Sequence, residues 1–277
     1  MKTVMLQNGE KVPALGLGTW KMGVGDGDEA GQLRALETGI DLGMTLIDTA
    51  EMYGEGRSEQ LVAKAIRGRR DALFIVSKVL PSNASRRGTI AACEASLKRL
   101  ASDVIDLYLL HWRGGHPLAE TFAGFEDLRA AGKIRHYGVS NFDADDLNEM
   151  NALKPRPICV ANQVLYNPSQ RGIEYDLLAR CRAEKMAVMA YSPIGGGPLA
   201  GHKALRKIAA RHGVTNAAVA IAFTLRLPGI IAIPKSAHET RVKENAAAMD
   251  VELSQEDMAE IDAAFPPPRR KTPLAMG

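Results

Sequence analysis

Eight short apolar runs, each separated from the next by a stretch of helical spacing, constrain this chain more than any other feature. They are Leu15 to Leu17, Leu46 to Ile47, Phe74 to Val76, Ile105 to Leu110, Ile134 to Val139, Val160 to Gln163, Ala187 to Ala190 and Ile230 to Ile233. Strands alternating with helices call for a parallel sheet, because parallel neighbours need a crossover long enough to hold a helix. Eight such units point to an α/β fold closed into a (β/α)8 TIM barrel, although the count alone leaves an open doubly wound sheet standing. The 277 residues suit one barrel, commonly about 250 residues, so the chain is read as a single domain over 1–277.

The helical segments between the runs are Glu29 to Leu42, Ser58 to Ile66, Arg86 to Leu100, Pro117 to Ala131, Asp143 to Ala152, Glu174 to Lys185 and Asn216 to Leu227, with a short extra one at Leu205 to Ala210. In the first, Leu33, Leu36 and Ile40 repeat at helix spacing. Ser254 with Asp257 three residues on caps a last helix through Ala264, which Pro266-Pro267-Pro268 stops. Ahead of the first run, Val4 to Leu6 and Lys11 to Ala14 flank Asn8-Gly9. That dipeptide tolerates positive φ and is the strongest short hairpin signal. A hairpin here would close the bottom of the barrel.

Composition narrows the partners. A net charge of +3 is mild for this length, and the basic runs Arg67 to Arg70 and Arg269 to Lys271 read as solvated ends, so no nucleic-acid partner is expected. Cys93, Cys159 and Cys181 stand far apart, which argues for a reducing compartment and against a metal set or disulfide framework. No run approaches the roughly 18 apolar residues of a membrane span, and no leader pattern opens the chain. The expectation is a cytoplasmic protein with no membrane partner. Nothing marks an oligomer interface, and a monomer is expected.

Asp48, Tyr53, Lys78 and His111 fall at or just past the C-terminal ends of three of the runs. In a parallel barrel those ends converge on one mouth. A tyrosine with an ordinary pKa of about 10 is a poor proton donor at neutral pH. A nearby lysine cation stabilises its phenolate and lowers that value, and an aspartate can hold the lysine charged and oriented. His111 can hydrogen-bond a substrate oxygen. Taken singly, an Asp–Lys pair is often only an ion pair, a lone His a satisfied polar group and a lone Tyr a packing residue. Together they form a device for protonating a carbonyl as a hydride arrives.

With those residues in place the chain closely resembles the aldo-keto reductase superfamily over nearly its whole length. Gly16-Leu17-Gly18-Thr19-Trp20 is similar to the family's first strand, and Asp48 to Gly54 to its Asp-x-Ala-x-x-Tyr-Gly motif. Ser77-Lys78, Leu110-His111-Trp112, Gly138 to Phe142, Asn162-Gln163, Tyr191-Ser192-Pro193 and Ile233 to Ser236 follow in family order. The resemblance implies a catalytic tetrad of Asp48, Tyr53, Lys78 and His111, with Tyr53 as general acid. It also implies an extended nicotinamide cofactor held without a Rossmann fold, which agrees with the missing Gly-x-Gly-x-x-Gly after the first run. The form Tyr53 to Glu59 resembles the bacterial branches that reduce small aldehydes and dicarbonyls.

The resemblance places the cofactor against Gly18, Thr19, Trp20, Asp48, Ser140, Asn141, Gln163, Tyr191, Ser192, Pro193, Ile194 and Gly195. Ser140, Asn141 and Gln163 carry amide and hydroxyl groups suited to a carboxamide. Tyr191 can stack on the nicotinamide, and Gly195-Gly196-Gly197 lets backbone approach a pyrophosphate, unless it is a plain loop. Lys235, Ser236 and Arg241 fall where the family holds the adenosine 2′-phosphate, and Glu244 and Asn245 match its adenine contacts. NADPH/NADP+ is therefore expected over NADH. Trp20, Met22, Met52, Tyr53, His111 and Trp112 are expected to face the substrate, and Arg113 adds a cation beside them. Short segments after Trp112, Tyr191 and Phe265 imply an open pocket for small carbonyls. A cofactor-binding, redox-sensing subunit of a larger assembly is the alternative; a Schiff-base role for Lys78 conflicts with its expected pairing to Asp48.

Overall fold

The computed structural model describes residues 2–24 and 28–277. A hairpin of β1 (Thr3–Met5) and β2 (Lys11–Pro13) precedes the barrel, paired Val4 to Val12. The eight parallel strands are β3 (Leu17–Gly18), β4 (Leu46–Asp48), β5 (Phe74–Val79), β6 (Ile105–Leu110), β7 (Ile134–Ser140), β8 (Ala161–Leu165), β9 (Ala187–Tyr191) and β10 (Ile230–Ile233). They are bonded in chain order from β3 to β10. The seam between the last strand and the first is then closed by backbone bonds from Gly16 N to Ala232 O (2.8 Å), Ala232 N to Ala14 O (2.8 Å) and Gly18 N to Pro234 O (3.0 Å).

The crossovers are α1 (Glu29–Asp41), α2 (Arg57–Ala65), α3 (Arg86–Leu100), α4 (Leu118–Ala130), α5 (Ala144–Ala152) and α6 (Leu177–Ala183). Between β9 and β10 lie α7 (Gly197–Ala200), α8 (Lys203–His212) and α9 (Asn216–Thr224), and after β10 come α10 (Glu239–Ala246) and α11 (Gln255–Ala264). Ser254 and Asp257 form the expected reciprocal cap of α11. Two expectations shift. The segment Glu174 to Lys185 yields a shorter helix preceded by a 3-10 turn at Gly172–Glu174. Helix α10, beside α1, is absent from the sequence reading because it is short and polar, with Val242 and Asn245 as its buried members.

Two apolar layers result. The outer one fills the space between strands and helices. The inner one holds Leu46, Phe74, Val76, Leu107, Leu109, Ala161, Met189, Ile231 and Ile233 together with Val4, Leu6, Val12 and Ala14. The hairpin therefore plugs the N-terminal end of the barrel. Each of its larger buried side chains contributes about 1.5–3 kcal/mol by leaving water. With that end filled, the opposite end is left for function.

Glycines let β3 lie close against both of its neighbours, β4 and β10. A Cβ on Gly16 would sit 2.7 Å from the Leu46 carbonyl oxygen, and one on Gly18 2.8 Å from that of Ile233. Because backbone atoms cannot step aside, Gly16→Ala should destabilise the protein by about 1–3 kcal/mol, the usual cost of overpacking. Urea unfolding measures this; an unchanged midpoint would contradict the close approach.

Candidate active site

A strand's period of two sets out the mouth. Leu46 and Asp48 share one face of β4, Phe74, Val76 and Lys78 one face of β5, and Leu107 and Leu109 one face of β6, continued by His111. The apolar members of each series fill the barrel, so the polar member is the inward residue at its C-terminal end. Tyr53 arrives by another route, at the start of a 3-10 turn over Tyr53–Gly56. Gly54, Glu55 and Gly56 in that turn all lie at positive φ (58°, 57° and 87°), a conformation that glycine adopts without strain.

The four side chains meet. Lys78 Nζ donates to Asp48 Oδ2 at 2.9 Å, to the Thr49 carbonyl at 2.8 Å and to the Tyr53 hydroxyl at 3.2 Å. All three ammonium protons are thereby used. Gln163 Nε2 donates to the other Asp48 oxygen at 2.7 Å. The His111 ring stands edge-on to Tyr53 with centroids 5.9 Å apart. Its Nδ1 is buried and unpartnered.

Burial dominates the electrostatics. It raises the Asp48 carboxyl, while the Lys78 cation and the hydrogen bonds from Lys78 and Gln163 pull that carboxyl back down. For Lys78, burial works against the charged form, but Asp48 and Tyr53 outweigh it and the ammonium is held above its ordinary value. The Tyr53 phenol corrects the sequence expectation: burial raises it and Asp48 adds to that, against the lowering by Lys78. The net effect is a firmly protonated phenol with a cation in place for its conjugate base. Burial, assisted by Lys78, pushes His111 down to about 3. Its imidazole is neutral near neutral pH, with one N–H to donate and one lone pair.

A second polar group adjoins the first. Ser140 Oγ donates to the Gln163 carbonyl at 2.9 Å, and Asn141 Nδ2 to the His111 carbonyl at 3.1 Å. The Tyr191 hydroxyl donates to Asn141 Oδ1 at 3.0 Å. Asn141 and Ser192 lie at positive φ (57° and 50°), where the chain turns off β7 and β9. Past Ser192, Pro193 is buried and Ile194 packs on the outer layer. Gly195, at φ 60°, turns back on Ser192, and a Cβ on Gly196 would meet nothing within 4 Å. Thr19 is buried and donates to the Asp48 carbonyl at 2.9 Å. Beyond the seam, Gly18 bridges to Lys235. Burial lowers the Lys235 ammonium, with Lys21 and Arg241 adding repulsion. Ser236 accepts from His238 N at 3.1 Å. In α10 Arg241 is exposed, Glu244 half-buried and Asn245 buried. Amides beside the tetrad, an aromatic ring, an open glycine turn and a cluster of cations form a donor set that suits an extended phosphorylated ligand.

The expected substrate wall is placed unevenly. Trp20 and Met52 are exposed, Trp112 is half-buried, and the His111 and Trp112 rings lie 4.9 Å apart. Met22 does not join them: it is fully buried in the outer layer and fills the core instead. Arg113 is no free cation, being bound to Glu149 at 2.8 and 3.1 Å and to the His116 carbonyl at 3.0 Å.

The sequence reading missed three contributors. Lys21 carries no motif and is found only because the seam sets it near Lys235. Ser58 donates to the Thr19 and Met22 carbonyls (3.2 and 2.5 Å), and buried Glu59 accepts from Ser77 Oγ at 2.6 Å and from Arg99 at 2.5 Å. This pair ties the Tyr53 turn to β3 and β5, and the Tyr-Gly-x-Gly-x-Ser-Glu pattern was its signal. The tail also returns to the mouth, where Gly277 N donates to the Tyr191 hydroxyl at 3.2 Å.

The state of His111 is open to direct test. Its ring resonances should stay constant from about pH 5 to 8, whereas an ordinary histidine titrates near 6.5. A midpoint in that range by NMR would contradict the burial account.

Comparison with known proteins agrees with this fold. Residues 14–265 match the model of the aldo/keto reductase family. Methylglyoxal reductase YeaE of Escherichia coli is 45% identical, covering 99% of either chain. Glyoxal reductase of Bacillus subtilis is 38% identical over 94% of this chain and 92% of its own. A crystal structure of an aldo-keto reductase from Klebsiella pneumoniae in complex with NADPH superposes with a TM-score of 0.97 at 46% identity, over 100% of this chain and 99% of that one. With its barrel and nearly its full length in common with these proteins, the chain belongs to the aldo/keto reductase family.

Proposed function

We propose that the protein is an NADPH-dependent reductase of small aldehydes and dicarbonyls of the methylglyoxal type. The observation that carries the reading is the buried, protonated Tyr53 hydroxyl 3.2 Å from a charged Lys78. The relatives named for methylglyoxal and glyoxal reduction support the substrate class. The neighbour holding NADPH supports the cofactor. The cluster of Lys235, Ser236 and Arg241 supports a 2′-phosphate in particular, because a cationic set gives charge-assisted bonds to it. Ser140, Asn141 and Gln163 would hold the carboxamide, Tyr191 the ring face and Gly18, Thr19 and the Ser192–Gly195 turn the neighbouring backbone. Glu244 and Asn245 would flank the adenine.

When bound, the nicotinamide supplies a hydride to the carbonyl carbon. Tyr53 gives its phenolic proton to the carbonyl oxygen, which completes the alcohol. The phenolate left behind is stabilised by the Lys78 ammonium, which Asp48 holds charged, and is reprotonated from solvent. Neutral His111 donates a hydrogen bond that fixes the carbonyl oxygen beside Tyr53. Trp20, Met52 and Trp112 form an incomplete wall, which fits a small substrate better than a bulky one.

Two outcomes are expected. Tyr53→Phe should lower kcat for methylglyoxal by about 10²-fold or more, the worth of a positioned acid, with NADPH affinity nearly unchanged. Full turnover in that variant would remove Tyr53 from its role. In a comparison of kcat/KM for the two cofactors, NADPH should exceed NADH by at least about tenfold, the worth of roughly 1.4 kcal/mol from one phosphate contact. A ratio near one would reject the phosphate assignment.

A further inference from the structure

Lys21 links two parts of the mouth that are otherwise separate. Its Nζ lies 4.3 Å from the centroid of the Trp20 ring. Three residues earlier, Gly18 bridges to Lys235, and the Lys21 charge is felt at Lys235, so the same short turn brings an indole and an ammonium close to the cationic cluster. The turn itself is fixed. Met22 N donates to the Thr19 carbonyl at 2.9 Å, and the Ser58 hydroxyl holds both the Thr19 and the Met22 carbonyls. Lys21 sits within it at φ 60°, an uncommon conformation for a side-chain-bearing residue. The backbone is thus pinned, and the two exposed side chains are the parts free to move. Trp20 is 50% exposed.

An ammonium over an exposed ring is held only weakly. A charge-assisted hydrogen bond to a phosphate oxygen is stronger. One ammonium with one short tether serves one of these partners at a time. We propose that Lys21 is a positioning residue that couples cofactor to substrate: a phosphate bound at Lys235 and Arg241 draws the Lys21 ammonium off Trp20, and the released indole then closes over the carbonyl. The proposal rests on the NADPH reading above and adds to it a reason for the wall to be complete only once the dinucleotide is in place.

The chain has two tryptophans, Trp20 and Trp112, so Trp112→Phe leaves Trp20 as the sole reporter. Adenosine 2′,5′-bisphosphate is the probe, because it carries the phosphates of the adenosine half and no nicotinamide to touch the indole. Binding is followed by calorimetry and by Trp20 emission in parallel. The emission should change and saturate together with the heat. In a Lys21→Met, Trp112→Phe protein that melts normally, binding should weaken several-fold and the emission should not respond. Binding with unchanged Trp20 emission, or a full response without Lys21, would overturn the coupling and leave the NADPH reading intact. Absence of any bisphosphate binding would overturn both.

Discussion

The mouth of this barrel depends on one ion pair, Lys78 with Asp48, sunk where neither charge reaches water. Lys78 is fully buried and Asp48 nearly so. Taking an ammonium and a carboxylate out of water costs several kcal/mol each. The pair offsets this by leaving no bonding capacity of the ammonium idle: Asp48, Thr49 and Tyr53 take its three protons, and Gln163 occupies the second carboxylate oxygen. Apolar residues would fill the same space at lower cost. In the proposed reduction the charges make chemical sense, because Tyr53 would need a cation beside it when its proton leaves and a dry site to keep that proton until then.

Much of the remaining architecture serves that pair. Hairpin side chains fill the barrel from below, so the polar layer rests on a packed floor. Gly16 lets β3 lie against β4 and Gly18 lets it close against β10, which sets the position of the Thr19–Met22 turn that follows. Glu59 holds Ser77, the residue before Lys78, while Ser58 holds the turn that carries Trp20. A local fault in any of these would displace donors from the narrow range of distances, about 3 Å, at which they bond their acceptors.

The strands, most helices and the convergence of Asp48, Tyr53, Lys78 and His111 were legible in the sequence because each rests on a local signal. Period-two parity through Leu46–Asp48, Phe74–Val76–Lys78 and Leu107–Leu109–His111 puts the polar residues inward at the strand ends. What stayed hidden depends on distant chain segments. Met22 reads as a mouth residue from its neighbour Trp20, yet a turn of one more residue points it into the core. Arg113 reads as a free cation, but Glu149 on α5 neutralises it. The direction of the Tyr53 shift depends on how much burial outweighs a nearby lysine, a balance no motif encodes. Lys21 shows no pattern at all, and helix α10 is too polar to register as periodic.

In the proposed reduction, Tyr53 gives up its proton in the step that reduces the carbonyl. Single-turnover reduction of methylglyoxal by enzyme pre-loaded with NADPH, followed in water and in deuterium oxide, tests this most directly. If Tyr53 transfers its proton as the hydride arrives, the reaction is slower in deuterium oxide, and deuterated NADPH slows it further. Equal rates in the two solvents, with the deuterated cofactor still slowing the reaction, would contradict proton donation in the chemical step.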